Sequence, residues 1–187
     1  MEIKGTALVS TLHFLNEKFP DKYDEWLQSL PEGTKKFFDD GIMAGTWYPI
    51  VEAYIVPTEI IGKICFDGDV EKAAYELGKY SGLDALKGIY KIFVKIASMA
   101  FVLKRLKSIF ATYYSNGTVE TIDKGNVKYF KVIGFQKGHE IIITRIAGWA
   151  EALFTVIAKK PTSITHVVKE IEEDFIEGHV EVKWDNL

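Results

Sequence analysis

Residues 118–135, TVETIDKGNVKYFKVIGF, mark where the chain changes its period: upstream the apolar residues recur at helical spacing, and here they recur at strand spacing. Thr118–Ile122 and Val127–Phe135 read as two strands, joined through Asp123-Lys124-Gly125-Asn126 into a β-hairpin. Downstream, His139 to Lys159 is a strongly apolar helix that Pro161 ends, and the residues after it form a second hairpin. The last strand of that hairpin alternates. Ile176, Val180, Val182 and Trp184 share one face and Glu177, His179, Glu181 and Lys183 the other, so one face is core and the other wet.

Working back towards the amino terminus, every segment reads as helix or as a connection between helices. Leu8, Leu12, Leu15 and Phe19 form a stripe from Thr6 to Phe19, closed by Pro20. Asp21–Leu30 makes a short helix, and Pro31-Glu32 opens another that ends near Asp40-Gly41. Residues 41–49 read as a loop that must anchor Trp47 and Tyr48. Pro49 starts a helix towards Phe66, which Pro57 should kink or break near Val56. After the turn Asp67-Gly68-Asp69, a helix runs to Tyr80, is interrupted at Ser81-Gly82 and resumes from Leu83 to Ile96. Ser98 caps the next helix, which passes Val102, Leu106, Ile109, Phe110 and Tyr113 and ends at Asn116-Gly117.

The expected architecture is therefore α+β. An N-terminal helical layer (1–117) packs on an antiparallel sheet made from two C-terminal hairpins separated by a long helix (118–187), all in one domain spanning 1–187. Net charge is −3, so no basic field exists to gather nucleic-acid phosphates or an anionic membrane. No run of about 20 residues is free of charge, which argues against a membrane span. Cys65 is the single cysteine, which rules out an internal disulfide and suits a reducing, cytoplasmic setting.

The chemistry-bearing residues form no familiar catalytic pattern. There is no Gly-x-Ser-x-Gly elbow beside any of His13, His139, His166 or His179, and no Gly-x-x-x-x-Gly-Lys phosphate loop. Cys65 is the only nucleophilic lead, and its apolar neighbours read more simply as core. If the final hairpin turns between Glu172 and Glu173, His166 and His179 become cross-strand neighbours with Glu170 and Glu181 near them, a conceivable metal site on what is otherwise a solvated sheet face. Lys104, Arg105 and Lys107, with Lys87, Lys91 and Lys95, read as solvated helix faces. Arg145 and Glu151 interrupt the apolar run from Ile141 to Ile157; charges in such places must be paired or functional, and internal salt bridges are the expected answer.

Several segments together resemble a known family: Lys4–Val9, Trp47-Tyr48-Pro49, Leu77–Ser81, Gly88–Lys91, Phe101–Arg105, Tyr113-Tyr114 ahead of Gly117, Gly134-Phe135 and Ala147–Glu151. In that order they are similar to an uncharacterised bacterial paralogous family related to 4-vinyl reductase domains and, more distantly, to the haem nitric-oxide-binding and Golgi-transport ligand-binding fold. The resemblance implies a pocket between helices and sheet for small or apolar ligands, and frequent homodimers. Two departures qualify it. The stretch Leu83–Tyr114 has no histidine to serve as a haem axial ligand, and Phe175–His179 stand where the reductase relatives cluster cysteines.

These readings converge on a non-catalytic sensory or ligand-binding module with no cofactor identified. Its expected ligand is a small hydrophobic molecule, with Trp47, Tyr48, Tyr80, Tyr90, Tyr113 and Trp149 as candidate lining residues. A protein-interaction or dimerisation scaffold is the alternative reading, and a haem- or metal-dependent sensor a less favoured one.

Overall fold

A computed structural model of the protein describes residues 1–87, 98–157 and 160–185. Six helices come first in the described chain: α1 (Gly5–Lys18), α2 (Tyr23–Ser29), α3 (Glu32–Asp39), α4 (Val56–Cys65), α5 (Val70–Lys87) and α6 (Met99–Tyr113). A hairpin of β3 (Thr118–Lys124) and β4 (Val127–Gln136) follows, then α7 (Glu140–Ile157), then a hairpin of β5 (Ser163–Glu170) and β6 (Phe175–Lys183). The four strands form one antiparallel sheet in the order β3-β4-β6-β5, so the two hairpins join through β4 and β6. This is the α+β arrangement that the period change at Thr118 implies.

The inward residues of the alternating strands carry the packing. Phe130, Val132, Phe135, Ile176, Val180 and Val182 are buried in one cluster with Ile142, Ile143 and Phe154 of α7. Trp184 closes the end of the sheet with its ring edge-on to Phe154, 5.4 Å between centroids. Gly178 sits at an inward position of β6, where an added Cβ would run into the Ile143 side chain; its lack of a side chain lets α7 approach the sheet. A second cluster holds α1, α2, α4 and α5 together around Phe14, Leu15, Trp26, Ile61 and Leu77. Cys65 lies half-buried at the edge of this cluster.

The structure departs from the expectations at three places. Residues 47–49 are not loop: Trp47–Pro49 is strand β2, paired antiparallel with β1 (Glu2–Lys4). Three-residue strands are too short to show an alternation, and it is Ile3, fully buried against Tyr48 and bridged to Tyr114, that ties the amino terminus to the end of α6. The break expected near Val56 is present, at the junction of Ile55 and Val56. Residues Val51–Ile55 widen into a π-helical turn, with the Val56 N–H reaching back to the Val51 carbonyl, and α4 starts from there. Ser81-Gly82 does not break α5, which is continuous from Val70 to Lys87; Gly82 is instead a place of close approach to Ala152, and Ser81 shares a 2.6 Å hydroxyl contact with Ser10. Of the helix expected from Leu83 to Ile96, the part from position 88 onward lies outside the described residues.

The third departure is one of register. Residue pairs in the second hairpin are His166↔Val180 and Val167↔His179, one step away from a His166–His179 pairing. Because side chains alternate faces, that single step separates the two histidines completely. His166 turns inward and shares a 3.0 Å contact with Thr144 on α7, while His179 lies on the other face with its Nε2 2.6 Å from Glu177. Of the two expected carboxylate partners, Glu170 pairs with Lys137 at 2.9 Å.

Candidate functional site

The site begins where α5 and α7 cross. A Cβ on Gly78 would fall into the carbonyl of Arg145, and one on Gly148 into the carbonyl of Tyr75, so the two backbones are in contact there. From this crossing α7 projects the two charges that break its apolar run. Six residues at 100° each place Arg145 and Glu151 about 240° apart around the helix, so they serve different surroundings.

Glu151 finds the salt bridge expected of it. Its carboxylate accepts from Lys79 at 2.8 Å and from the Tyr75 hydroxyl at 2.6 Å. Burial opposes its ionisation, but these two donors outweigh burial and hold its carboxyl below the usual range. The same carboxylate, together with burial, pushes the Tyr75 phenol far above its ordinary value.

Arg145 does not find one, and the expectation of a salt bridge fails here. Its side chain is 2% exposed. One terminal nitrogen donates to Thr58 Oγ1 at 2.6 Å and the other to Thr11 Oγ1 at 3.1 Å, from α4 and α1 respectively. The guanidinium stacks over the Tyr54 ring, 3.8 Å from its centroid, and its Nε has no hydrogen-bond partner. No carboxylate pairs with it among the described residues.

Arg145 also borders a partly open cavity of about 90 Å³ between α6, α7, the first hairpin and the π-helical turn. Phe110 enters from α6 and Tyr114 from the residue just after it, Leu153 and Phe154 from α7, Phe130 from β4 and Tyr54 from the turn; all six are buried. Ile109, Tyr113, Ile146 and Trp149 line it while remaining half-buried, and so mark its mouth. Tyr113 and Trp149 meet there edge to face, 6.5 Å between centroids. Burial pushes the Tyr54 phenol up and the Tyr114 phenol well up, although the Arg145 charge pulls both the other way. Both hydroxyls stay neutral.

Of the aromatic residues singled out from sequence, Tyr113 and Trp149 border this cavity, and Trp47, Tyr48 and Tyr80 are placed elsewhere. Trp47 sits on β2 with the Lys4 ammonium 4.3 Å above its ring. Tyr48 packs on Phe37, and its hydroxyl accepts from the Met43 N–H at 3.0 Å. Tyr80 belongs to the second cluster, edge-on to Phe14 with its hydroxyl donating to Glu17 at 2.7 Å. Tyr90 lies outside the described residues. Sequence reasoning missed Tyr54, Phe110 and Tyr114. The spacing Leu106–Phe110 and Ile146–Trp149–Leu153 was a usable sign, because it puts one apolar stripe of α6 opposite one of α7.

The other reactive groups are dispersed. Burial raises the Cys65 thiol, the reverse of activation. His13 is exposed and faces Asp84 at 3.2 Å. His139 is buried just ahead of α7, with its Nδ1 facing the Gln136 N–H at 3.4 Å. Among the described residues no group of three His, Cys, Asp or Glu side chains is arranged to hold a metal ion. No helix among them is long and apolar enough to cross a membrane.

No family model and no curated protein matches the chain, but solved structures do. A single-residue variant of the T. Tengcongensis H-NOX protein superposes with a TM-score of 0.70 at 14% identity, over 98% of this chain and 98% of that one. An H-NOX protein from K. algicida in the unliganded Fe(II) state gives 0.68 at 9% identity, covering 97% of each chain. A structure solved to probe heme distortion in the H-NOX family gives 0.71 at 14% identity, over 98% of this chain and 95% of that one. The chain thus has the H-NOX fold; at such identities the likeness extends to fold alone.

Haem is the group this fold brings to mind, and the described residues do not fit it. The cavity beside Arg145 presents no haem-ligating set. Its lining offers no imidazole, thiolate or thioether, and two of its phenols, Tyr54 and Tyr114, are pushed away from the phenolate form that would ligate iron. Positions 88–97, GIYKIFVKIA, add no histidine, cysteine or methionine.

Proposed function

We propose that the chain is a single-domain, non-catalytic ligand-binding module, spanning 1–187, that holds a small apolar molecule in the cavity between α6, α7 and the sheet. One observation carries this reading: a well-packed core of aromatic and aliphatic side chains leaves about 90 Å³ unfilled, with Tyr113 and Trp149 at its mouth. Protein interiors are close-packed, so a void walled mainly by aromatic and aliphatic side chains offers room for an apolar guest. The H-NOX fold of the solved neighbours supports a sensing role, with a guest other than haem.

Toluene titration followed through the Trp149 indole resonance tests it. Saturable one-to-one binding is expected, and Ala150→Leu, which grows a side chain into the cavity, is expected to abolish it while leaving the fold intact. Absence of saturation in the parent protein, or undiminished binding in A150L, refutes the reading.

Kinship with bacterial 4-vinyl reductase domains, a cytoplasmic setting and a homodimer belong to the same proposal. Exposed Val167, Ile171 and Phe175 on the β5–β6 hairpin support a self-association surface, which sedimentation across a concentration series would detect.

A further inference from the structure

We propose that Arg145 makes the cavity a receptor for a carboxylate, so that the guest is a small amphiphile with an apolar body and one carboxylate head seated on the guanidinium. This rests on the reading of the cavity as a ligand site and names the chemical class of the ligand.

The argument starts from charge. A guanidinium presents five N–H groups, and the Thr58 and Thr11 hydroxyls occupy two of them, which leaves three, the orphaned Nε–H among them. Among the described residues the charge is not compensated. No described carboxylate pairs with it, and positions 88–97, 158–159 and 186–187 contain no Asp or Glu at all. The nearest acidic candidates are the phenols of Tyr54 and Tyr114, which burial keeps protonated. Arginine does not escape by losing its proton. A fully buried, permanently charged and unpaired group is among the costliest a fold can carry, and one that borders a cavity invites a counter-ion into that cavity.

Geometry selects the kind of counter-ion. The guanidinium fork matches a planar carboxylate in a two-point contact, and Tyr54, whose ring stacks on it, and Tyr114 share the cavity lining with it. The rest of the lining is apolar: Phe110, Phe130, Leu153 and Phe154 offer nothing to a hydrated inorganic ion and everything to a hydrocarbon body. Size bounds that body. At roughly 10–15 Å³ for each water-sized group, 90 Å³ holds about six to nine of them, the scale of one aromatic ring or a short alkyl chain with its head group.

Isothermal titration with benzoate, its neutral isostere benzamide, toluene and acetate tests the proposal on the full chain. Benzoate is expected to bind about ten-fold or more tightly than benzamide, while acetate, a head without a body, binds at least as weakly as benzamide. Arg145→Met is expected to erase the benzoate preference and leave toluene binding in place. Equal affinity for benzoate and benzamide, or a preference that survives in R145M, overturns the proposal. Acetate binding as tightly as benzoate overturns it as well, since the apolar body would then count for nothing. The comparison of ligands on the parent protein is decisive even if R145M fails to fold. Toluene binding without a carboxylate preference leaves the cavity reading standing and this inference refuted; binding of none of the four refutes both.

Discussion

Replacing Arg145 with methionine is expected to leave the stability of the ligand-free protein within about 2 kcal/mol of the parent, because the losses and the relief nearly cancel. The reasoning is specific to this guanidinium. Truncating one partner of a buried ion pair costs about 3–5 kcal/mol, because it strands the opposite charge. Here no carboxylate is stranded. The two hydroxyls that Arg145 contacts do not become orphaned donors either: Thr58 Oγ1 donates to the Tyr54 carbonyl at 2.7 Å, and Thr11 Oγ1 to the Ala7 carbonyl at 3.1 Å, with or without the arginine. What is lost is two charge-assisted hydrogen bonds, about 1.5–3 kcal/mol each, and a desolvated cation–π contact of about 2 kcal/mol. What is relieved is the burial of an unpaired ion, several kcal/mol even after relaxation, and a methionine of similar reach refills the space with apolar atoms. Urea unfolding at neutral pH, with an unchanged denaturant slope, reports the difference directly. For a chain of this length each kcal/mol moves the melting temperature by roughly 2–4 °C. A loss of about 3 kcal/mol or more, a fall of roughly 6–12 °C, would refute the reasoning and make the guanidinium a structural clamp between α1, α4 and α7.

Three further outcomes follow from single contacts. Gly78→Ala is expected to destabilise the protein by about 1–3 kcal/mol in the same urea assay, because its methyl group must displace the Arg145 carbonyl at the α5–α7 crossing. Glu151→Gln is expected to cost about 1–2 kcal/mol at neutral pH through the weakened Lys79 and Tyr75 contacts. Since the folded state holds the Glu151 carboxyl below its ordinary 4.5, the stability it contributes is present above pH 4.5 and fades as pH falls through the folded value, so parent and variant curves should converge in acid. Burial lowers the His139 imidazole from 6.5, so the unfolded chain takes up its proton first and stability should fall as pH drops below 6.5; His139→Asn, measured by unfolding about one pH unit above and one below that value, is expected to flatten that slope.

The buried guanidinium also explains why the site is hard to see by motif. Its partners come from three different elements, 87 and 134 residues away from Arg145 along the chain for Thr58 and Thr11. A charge in an apolar helix announces that something must compensate it, and for Glu151 an internal salt bridge forms, with Lys79 on the facing helix. For Arg145 the expected salt bridge is absent among the described residues, and two threonine hydroxyls take its terminal nitrogens. Burial alone does not say whether compensation comes from the chain or from a guest.

What the sequence determined by itself was everything with a short repeat. The helical stripe of α1, the Ser98 cap whose hydroxyl accepts from the Phe101 N–H, the change of period at Thr118 and the alternation of Ile176, Val180 and Val182 are all set by neighbours within a few residues. Such patterns survive translation into structure because the periods of helix and strand are properties of the backbone. Tertiary structure alone decided the rest: that Gly82 and Gly78 mark a crossing rather than a break, that a one-residue difference in register sends His166 inward and His179 outward, and that Tyr54 and Tyr114 meet Arg145 around a void. A void belongs to no residue. It is the remainder left after distant side chains have interlocked, and no spacing along the chain encodes a remainder.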